Sequence, residues 1–275
     1  MGLLPSYVDP LFQAASPPQS VSTAVVIDTL RFTTTACQAI ALGARSVTVA
    51  SSIERAQELA AEMSPRPLLC GERHCHPIPG FDLGNSPLEL SGPQVSGRDL
   101  VYTTTNGTLA VEAVQYVPHI LLAGLVNRAS TCAHLRRQTT GDVLLVCAGT
   151  DGQITWEDVL TAGAIIDGLV DGLVDGADFE MGHDAARLAW AAWRSIQPQV
   201  SPADQSWSLR SSAAPSSAAH MSALIEKELT RALGGSNLIE SGYARDVHFA
   251  AQLDSLSCVM CNSPGQSQRF AMATT

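Results

Sequence analysis

The stretch "AVVIDTLRFTTTACQAIALGARSVTVA", residues 24–50, decides how the chain is read. Its opening apolar run predicts a strand over 24–28, the segment 33–43 predicts a helix, and "SVTVA" predicts a second strand over 46–50, a βαβ unit. The junction carries more polar chemistry than a turn and a helix cap require. Asp28 ends the strand, Arg31 follows three residues later, and Thr33, Thr34 and Thr35 open the helix. Ligands of α/β sheets bind at the carboxyl ends of strands, so the excess points to a site there.

The alternation continues outward. Further strands are predicted at 67–71, 99–103, 119–123 and 142–148, and helices at 52–63, 105–115, 127–138 and 155–173, the pattern of layered α/β structure. "DLVYTTTNGTLAVEAVQYVPHILLAG" (99–124) echoes the first unit as strand, TTT, helix and strand. The echo reads either as a duplication or as the βαβ unit repeating itself. Residues 72–97 form a long irregular connection, and such loops are often functional. Beyond 175 a helix over 181–196 carries Leu188, Trp190 and Trp193 at helical spacing, and is read as core packing, with a homodimer seam as the alternative. A Ser, Pro and Ala rich loop spans 198–219, a helix spans 220–233 until "GGSN" stops it, and residues 261–275 read as a flexible tail. The domain expectation is a lead-in over 1–23, one body over 24–260, as a single domain or two lobes, and that tail.

The chain has 275 residues, 45% hydrophobic and 15% charged, which is a globular balance with a large core. Net charge is −10 with 16 Lys plus Arg and no basic run, which argues against nucleic acid or an anionic membrane as partner. A small anionic substrate would need local arginines or a bound metal. No basic start with an apolar core opens the chain, and no apolar run reaches the roughly 18 residues that span a bilayer, so the reading is cytoplasmic. Seven cysteines without framework spacing read as thiols.

Four predicted strand ends collect hydroxyls, carboxylates and arginines: Asp28, Arg31 and Thr33–Thr35; Gly71, Glu72 and Arg73; Thr103–Thr105, Asn106 and Gly107; and Gly149, Thr150 and Asp151 ahead of Glu157 and Asp158. Hydroxyls and N–H groups beside arginine suit phosphate or sulfonate oxygens. Carboxylates in the same place would repel that anion unless a divalent cation lies between them, and Mg²⁺ prefers a few carboxylates with waters and substrate oxygens. Singly, each element has a structural reading as cap, dipole partner or ion pair. "GERHCHPIPGFDLGNSP" (71–87) is the hardest to explain as structure alone. His74, Cys75 and His76 with Cys258 and Cys261 raise a zinc alternative, which lacks matched ligand pairs. Cys37 lacks an arginine loop around it and reads as packing.

"VVIDTLRFTTT", "GER", "GFDLGNSP", "TTTNGT", "CAGTDG" followed by "ED", and "GYARDVHFAAQLD" occur in this order from about residue 24 to 255. Together they resemble the successive motif blocks of the 2-phosphosulfolactate phosphatase (ComB) family. The resemblance implies a complex layered α/β/α fold with a mixed or mostly parallel sheet and helices on both faces. It also implies a Mg²⁺-dependent phosphatase acting on a small phosphorylated, sulfonated or carboxylated hydroxy acid, on the way to coenzyme M. One departure is "HCHP" after "GER", where the family pattern is Gly-rich.

On that reading Asp28, Glu72 and Asp82 are the catalytic carboxylates and, with Glu157 and Asp158, the expected Mg²⁺ ligands. Arg31, Thr33, Thr34, Thr35, Arg73, Asn85, Thr104, Thr105, Asn106 and Gly107 are expected to grip the phosphoryl and acid groups. "VVIDTL" also resembles haloacid dehalogenase phosphatases, but the second acid expected two residues on is Leu30, which favours water over Asp28 as the nucleophile. The alternatives are a non-catalytic binding module for phosphorylated acids, though it would not need several carboxylates, and a phosphatase of the same family acting on a different 2-phospho acid. No Walker or G-x-G-x-x-G pattern supports a nucleotide enzyme.

Overall fold

The computed structural model describes residues 2–7, 20–170, 179–198 and 215–273. Its first part runs β1 (Val21–Ile27), α1 (Phe32–Ala41), β2 (Ser46–Val49), α2 (Ile53–Glu62), β3 (Leu68–Arg73) and β4 (His76–Pro77). The short α3 (Gly92–Val95), β5 (Asp99–Thr103), α4 (Gly107–Ala113), β6 (His119–Ala123), α5 (Arg128–Gln138), β7 (Asp142–Cys147) and α6 (Trp156–Val170) follow. The remainder is α7 (Asp184–Ile196), α8 (Pro215–Arg231), α9 (Leu233–Glu240), α10 (Ala244–Ala250), β8 (Met260–Ser263) and β9 (Gln266–Met272). The six strands and first four helices expected from sequence are all present. Residues 171–173 of the fifth predicted helix, 199–214 of the predicted loop and 8–19 of the lead-in lie outside the described residues.

All nine strands form one mixed sheet in the order β4-β3-β5-β2-β9-β8-β6-β1-β7. β1 pairs in parallel with both β6 and β7, and β5 pairs in parallel with both β2 and β3. Between these groups the β8–β9 hairpin is antiparallel to each neighbour and within itself. Three antiparallel steps leave the two parallel groups running in opposite directions. The βαβ echo has a counterpart here, because β1-α1-β2 and β5-α4-β6 each cross from one group to the other.

Helices cover both faces. Ala24 and Val26 of β1 pack in a core shared with α1 and α4, while Val25 and Ile27 face a second core built with α5, α6 and α7. Ala24–Ile27 are fully buried, which is why β1 is continuously apolar rather than alternating. α2 covers Leu69 and Val101 on its own side of the sheet. Helix α7 lies so close to α6 that a Cβ on Gly163 would overlap the Ala189 carbonyl, and Asp167 accepts hydrogen bonds from Trp190 Nε1 (2.9 Å) and Trp193 Nε1 (3.0 Å).

Three sequence expectations change, the first being that residues 215–219 of the predicted loop open α8. Residues 261–275 are not a flexible tail where they are described, because β9 lies between β2 and β8 with Phe270 fully buried. Arg269 reaches Asp99 at 3.2 Å, and Asp99 also binds Ser46 Oγ at 2.7 Å and Arg45 at 3.0 Å, tying the hairpin to β2 and β5. "GGSN" does not end a helix but lies inside α9, after the chain has turned at Ala232. All seven cysteines are free, and among the described residues no helix is long and apolar enough to cross a membrane.

Truncating a fully buried Phe typically costs about 3–5 kcal/mol. We expect Phe270→Ala to lower unfolding stability by about that amount in denaturant titration. An unchanged midpoint would return the segment to the status of a tail.

Candidate functional site

Asp28 follows the last residue of β1 and is 7% exposed. Its Oδ1 accepts the Phe32 N–H at 3.2 Å, and its carbonyl accepts the Thr33 N–H at 3.0 Å, so this one residue satisfies the first two N–H groups of α1. Gly107, which opens α4, lies against it, where a Cβ would sit 2.5 Å from Asp28 Oδ2. The carboxyl ends of β1 and β5 thereby meet at a cavity of about 280 Å³.

Three more carboxylates crowd this point. Glu72 lines the cavity, its Oε1 accepting the Thr105 N–H at 2.9 Å and its Oε2 the Cys75 N–H at 3.0 Å. Asp158 is buried behind it with both oxygens on backbone donors, Thr29 N–H and Gly149 N–H, each at 2.9 Å. Glu157 is buried too, and its Oε2 has no hydrogen-bond partner among the described residues. Burial and then the charge of Asp158 raise the Asp28 pKa well above the carboxylate range, with Glu72 and Glu157 adding to the rise. Burial likewise lifts Glu157 to about 8 and Asp158 to about 6, the charge of Asp158 adding to the shift of Glu157.

The cations do not offset this. Arg31 lines the cavity but pairs with Asp246 at 2.8 Å, and Arg73 turns to Thr103 Oγ1 (3.0 Å) and the Glu72 carbonyl (2.7 Å). Asn85, Thr105 and Asn106 do line the cavity, and Asn85 Oδ1 and Thr105 Oγ1 have no partner among the described residues. Thr104 is buried beside them with its Oγ1 also unpartnered.

Other expected residues are placed elsewhere. Asp82 accepts the Leu69 N–H at 2.8 Å and pairs with Arg66 at 3.1 Å, so its carboxylate is fastened to the start of β3, away from the cavity. Thr33 and Thr34 donate to the carbonyls of Asp28 and Thr29 at 2.8 Å each, and Thr35 donates to the Asn85 carbonyl at 3.0 Å. The anion cradle expected at the start of α1 is therefore filled by Asp28 and these threonines. Cys258 Sγ contacts the Cys37 carbonyl at 3.7 Å, a hydrogen bond from Cys258 raises the Cys37 thiol pKa, and no zinc set forms. Among the described residues no three His, Cys, Asp or Glu side chains are close enough to hold a metal ion between them.

One wall was not anticipated. Gly234, Asn237 and Ser241 from α9 and its end complete the cavity beside Thr150 and Asp151 of the expected fourth strand end. Gly234 is required by close approach, since a Cβ there would overlap Glu157 Oε1. The signal was the paired glycine itself, which marks tight packing as readily as a helix stop.

The family model described as 2-phosphosulpholactate phosphatase matches residues 11–211. A "Probable 2-phosphosulfolactate phosphatase" of Deinococcus radiodurans is 37% identical over 243 residues, 88% of each chain. Proteins of the same name from Synechocystis (38% identical over 66% of this chain and 76% of that one) and Thermotoga maritima (43% over 54% and 63%) also match. The chain belongs to the 2-phosphosulpholactate phosphatase family. Within this family of phosphoric monoester hydrolases, the "HCHP" of the present chain forms a turn with His74 and Cys75 at φ of 51° and 67°. That turn aims the Cys75 carbonyl at Arg31 Nη2, 2.7 Å away.

Acids that hold protons more tightly folded than unfolded make folding less favourable as pH rises between the two pKa values. With Glu157 at about 8 and Asp158 at about 6, that window runs from about pH 4 to about pH 8. We expect Tm in EDTA to fall across it by about 5 °C or more, and Glu157→Gln to flatten the fall. A Tm independent of pH, or an unaltered slope in the variant, would count against this charge crowding.

Proposed function

We infer that the chain is a Mg²⁺-dependent phosphatase that hydrolyses the phosphate monoester of a small sulfonated or carboxylated hydroxy acid. 2-Phosphosulfolactate, named for its relatives, is the leading substrate, and the reaction is of the coenzyme M biosynthetic type. The observation that carries the reading is Asp28, buried at the cavity and crowded by Glu72, Asp158 and Glu157. A binding module for an anion gains nothing from such a surplus of negative charge.

The residues fit a hydrated Mg²⁺, which takes one or two carboxylates and keeps several waters. They do not fit a closed, dry cation site. Asp28 and Glu72, which line the cavity, would hold the ion, with Glu157 and Asp158 behind them. When bound, Mg²⁺ would screen the phosphoryl charge and polarise the phosphorus centre.

The chain's own groups do the rest. Arg31 presents its free N–H donors to the ester's oxygens, and Thr105, Asn106 and Asn85 supply further polar atoms around it. Asn106 Oδ1 accepts the Asp151 N–H at 3.2 Å, which fixes that amide. Leu30 lines the cavity where a haloacid dehalogenase type enzyme would carry its second acid, so water, oriented by Asp28 Oδ2, is the attacking group. The seven free thiols suit the reducing cytoplasm that this reading assumes.

Phosphate release from 2-phosphosulfolactate and 2-phospholactate, with Mg²⁺ and with EDTA, tests the proposal. We expect release to need Mg²⁺, to fall about 10³-fold or more in Asp28→Asn, and to stay within about twofold in Asp82→Asn. Asp82→Asn should instead lose about 1–2 kcal/mol of stability. Binding of both esters without release in Mg²⁺ would sink the phosphatase reading.

A further inference from the structure

We propose that Asp246 is a positioning residue that holds Arg31 open toward the substrate anion, so that the segment after α9 completes the site. The proposal rests on the phosphatase reading and goes beyond it, because Asp246 is not among the residues assigned above to the metal or the ester. Arg31 and Asp246 are 215 residues apart in sequence, yet Arg31 Nη1 donates to Asp246 Oδ2 at 2.8 Å with both side chains only 3% exposed. The other oxygen, Oδ1, accepts from Ser86 Oγ at 2.7 Å, so the carboxylate cannot rotate without breaking a second bond.

Two further contacts define the plane of the guanidinium. Nη2 donates to the Cys75 carbonyl at 2.7 Å, and the Tyr243 ring lies 4.2 Å from Cζ. A guanidinium has five N–H donors. These contacts use two, and the remaining three belong to a side chain that lines the cavity with Asn85 and Thr105.

The competing state explains why an aspartate is needed. Arg31 shares the cavity with Asp28 and Glu72, and a free guanidinium would pair with either, closing the site on itself. Asp246, which does not line the cavity, supplies a prearranged partner. Together with the Cys75 carbonyl it engages one N–H on each terminal nitrogen and leaves the remaining donors for a ligand. Preorganised donors of this kind stabilise a transferring phosphoryl group because they need not reorganise during the reaction.

The test is a double-mutant cycle on the full chain, read by KM, kcat and the inhibition constant of inorganic phosphate. We expect Asp246→Asn to raise KM and the phosphate constant about tenfold, Asp246→Glu to recover part of it, and the Mg²⁺-induced rise in Tm to persist. In an Arg31→Gln background, Asp246→Asn should add nothing, because it acts through Arg31. A folded Asp246→Asn protein with unchanged constants, or effects that add in full, would overturn the proposal. Should Asp246→Asn not fold, Ser86→Ala takes its place, where about a threefold rise in the phosphate constant supports the role and no rise rejects it. If the wild type hydrolyses neither ester but its phosphate affinity still depends on Asp246 through Arg31, the phosphatase reading fails and this one stands.

Discussion

The hydrogen bond from the Phe32 N–H to Asp28 Oδ1 is the point on which fold and site both turn. Without it the first N–H of the crossover helix α1, that of Phe32, would be left unsatisfied above a fully buried strand. With it the helix is capped by a carboxylate whose second oxygen is left facing Gly107 at the cavity. A Ser or Asn could cap as well. Only an acid there also supplies negative charge, and that charge has to be tolerated in a place where burial opposes it.

Tolerance comes from dividing roles among four carboxylates. Asp158 spends both oxygens on backbone N–H groups, which favours its ionised form. Glu72 also places both oxygens on backbone N–H groups, tying the β3–β4 turn to the end of β5. Asp28 has one such bond, and Glu157 keeps an unpartnered oxygen, so these two carry the larger cost of charge and hold protons most readily. Among the described residues, the arginine that lines the cavity, Arg31, is already paired with Asp246. An anionic substrate therefore meets a site short of positive charge, which a bound divalent cation would correct.

The strands of the two parallel groups were legible because each is a compact apolar run bounded by turn residues, and their helices follow from spacing and Gly stops. β9 was not, because in "QSQRFAM" only Phe270 is fully buried, Gln266–Arg269 are polar, and Ala271 and Met272 are only partly covered. Its place in the middle of the sheet is secured by pairing on both sides and by Asp99, whose partners Ser46, Arg45 and Arg269 come from different parts of the sequence. Asp82 misled for a related reason. An acid beside glycines in an irregular loop looks available for chemistry, and only the folded loop shows it bound to Leu69 N–H and Arg66. The α9 wall was hidden by a helix that changes direction at Ala232 and continues through two glycines.

The two TTT triplets carry the last step. In the first, "DTLRF" separates strand from triplet, which moves Thr33–Thr35 into the first turn of α1. There a threonine hydroxyl finds the carbonyls of the preceding turn within reach, and Thr33 and Thr34 bond to Asp28 and Thr29. The second triplet follows its strand directly, so Thr103 ends β5 and Thr105 lies ahead of α4 with no earlier turn to bond to. Its hydroxyl stays unpartnered beside the cavity. Identical tripeptides thus separate into helix capping and an unpartnered hydroxyl at the cavity through the number of residues that precede them. At the first junction, those intervening residues include Asp28 and Arg31, the charged groups that the cavity needs.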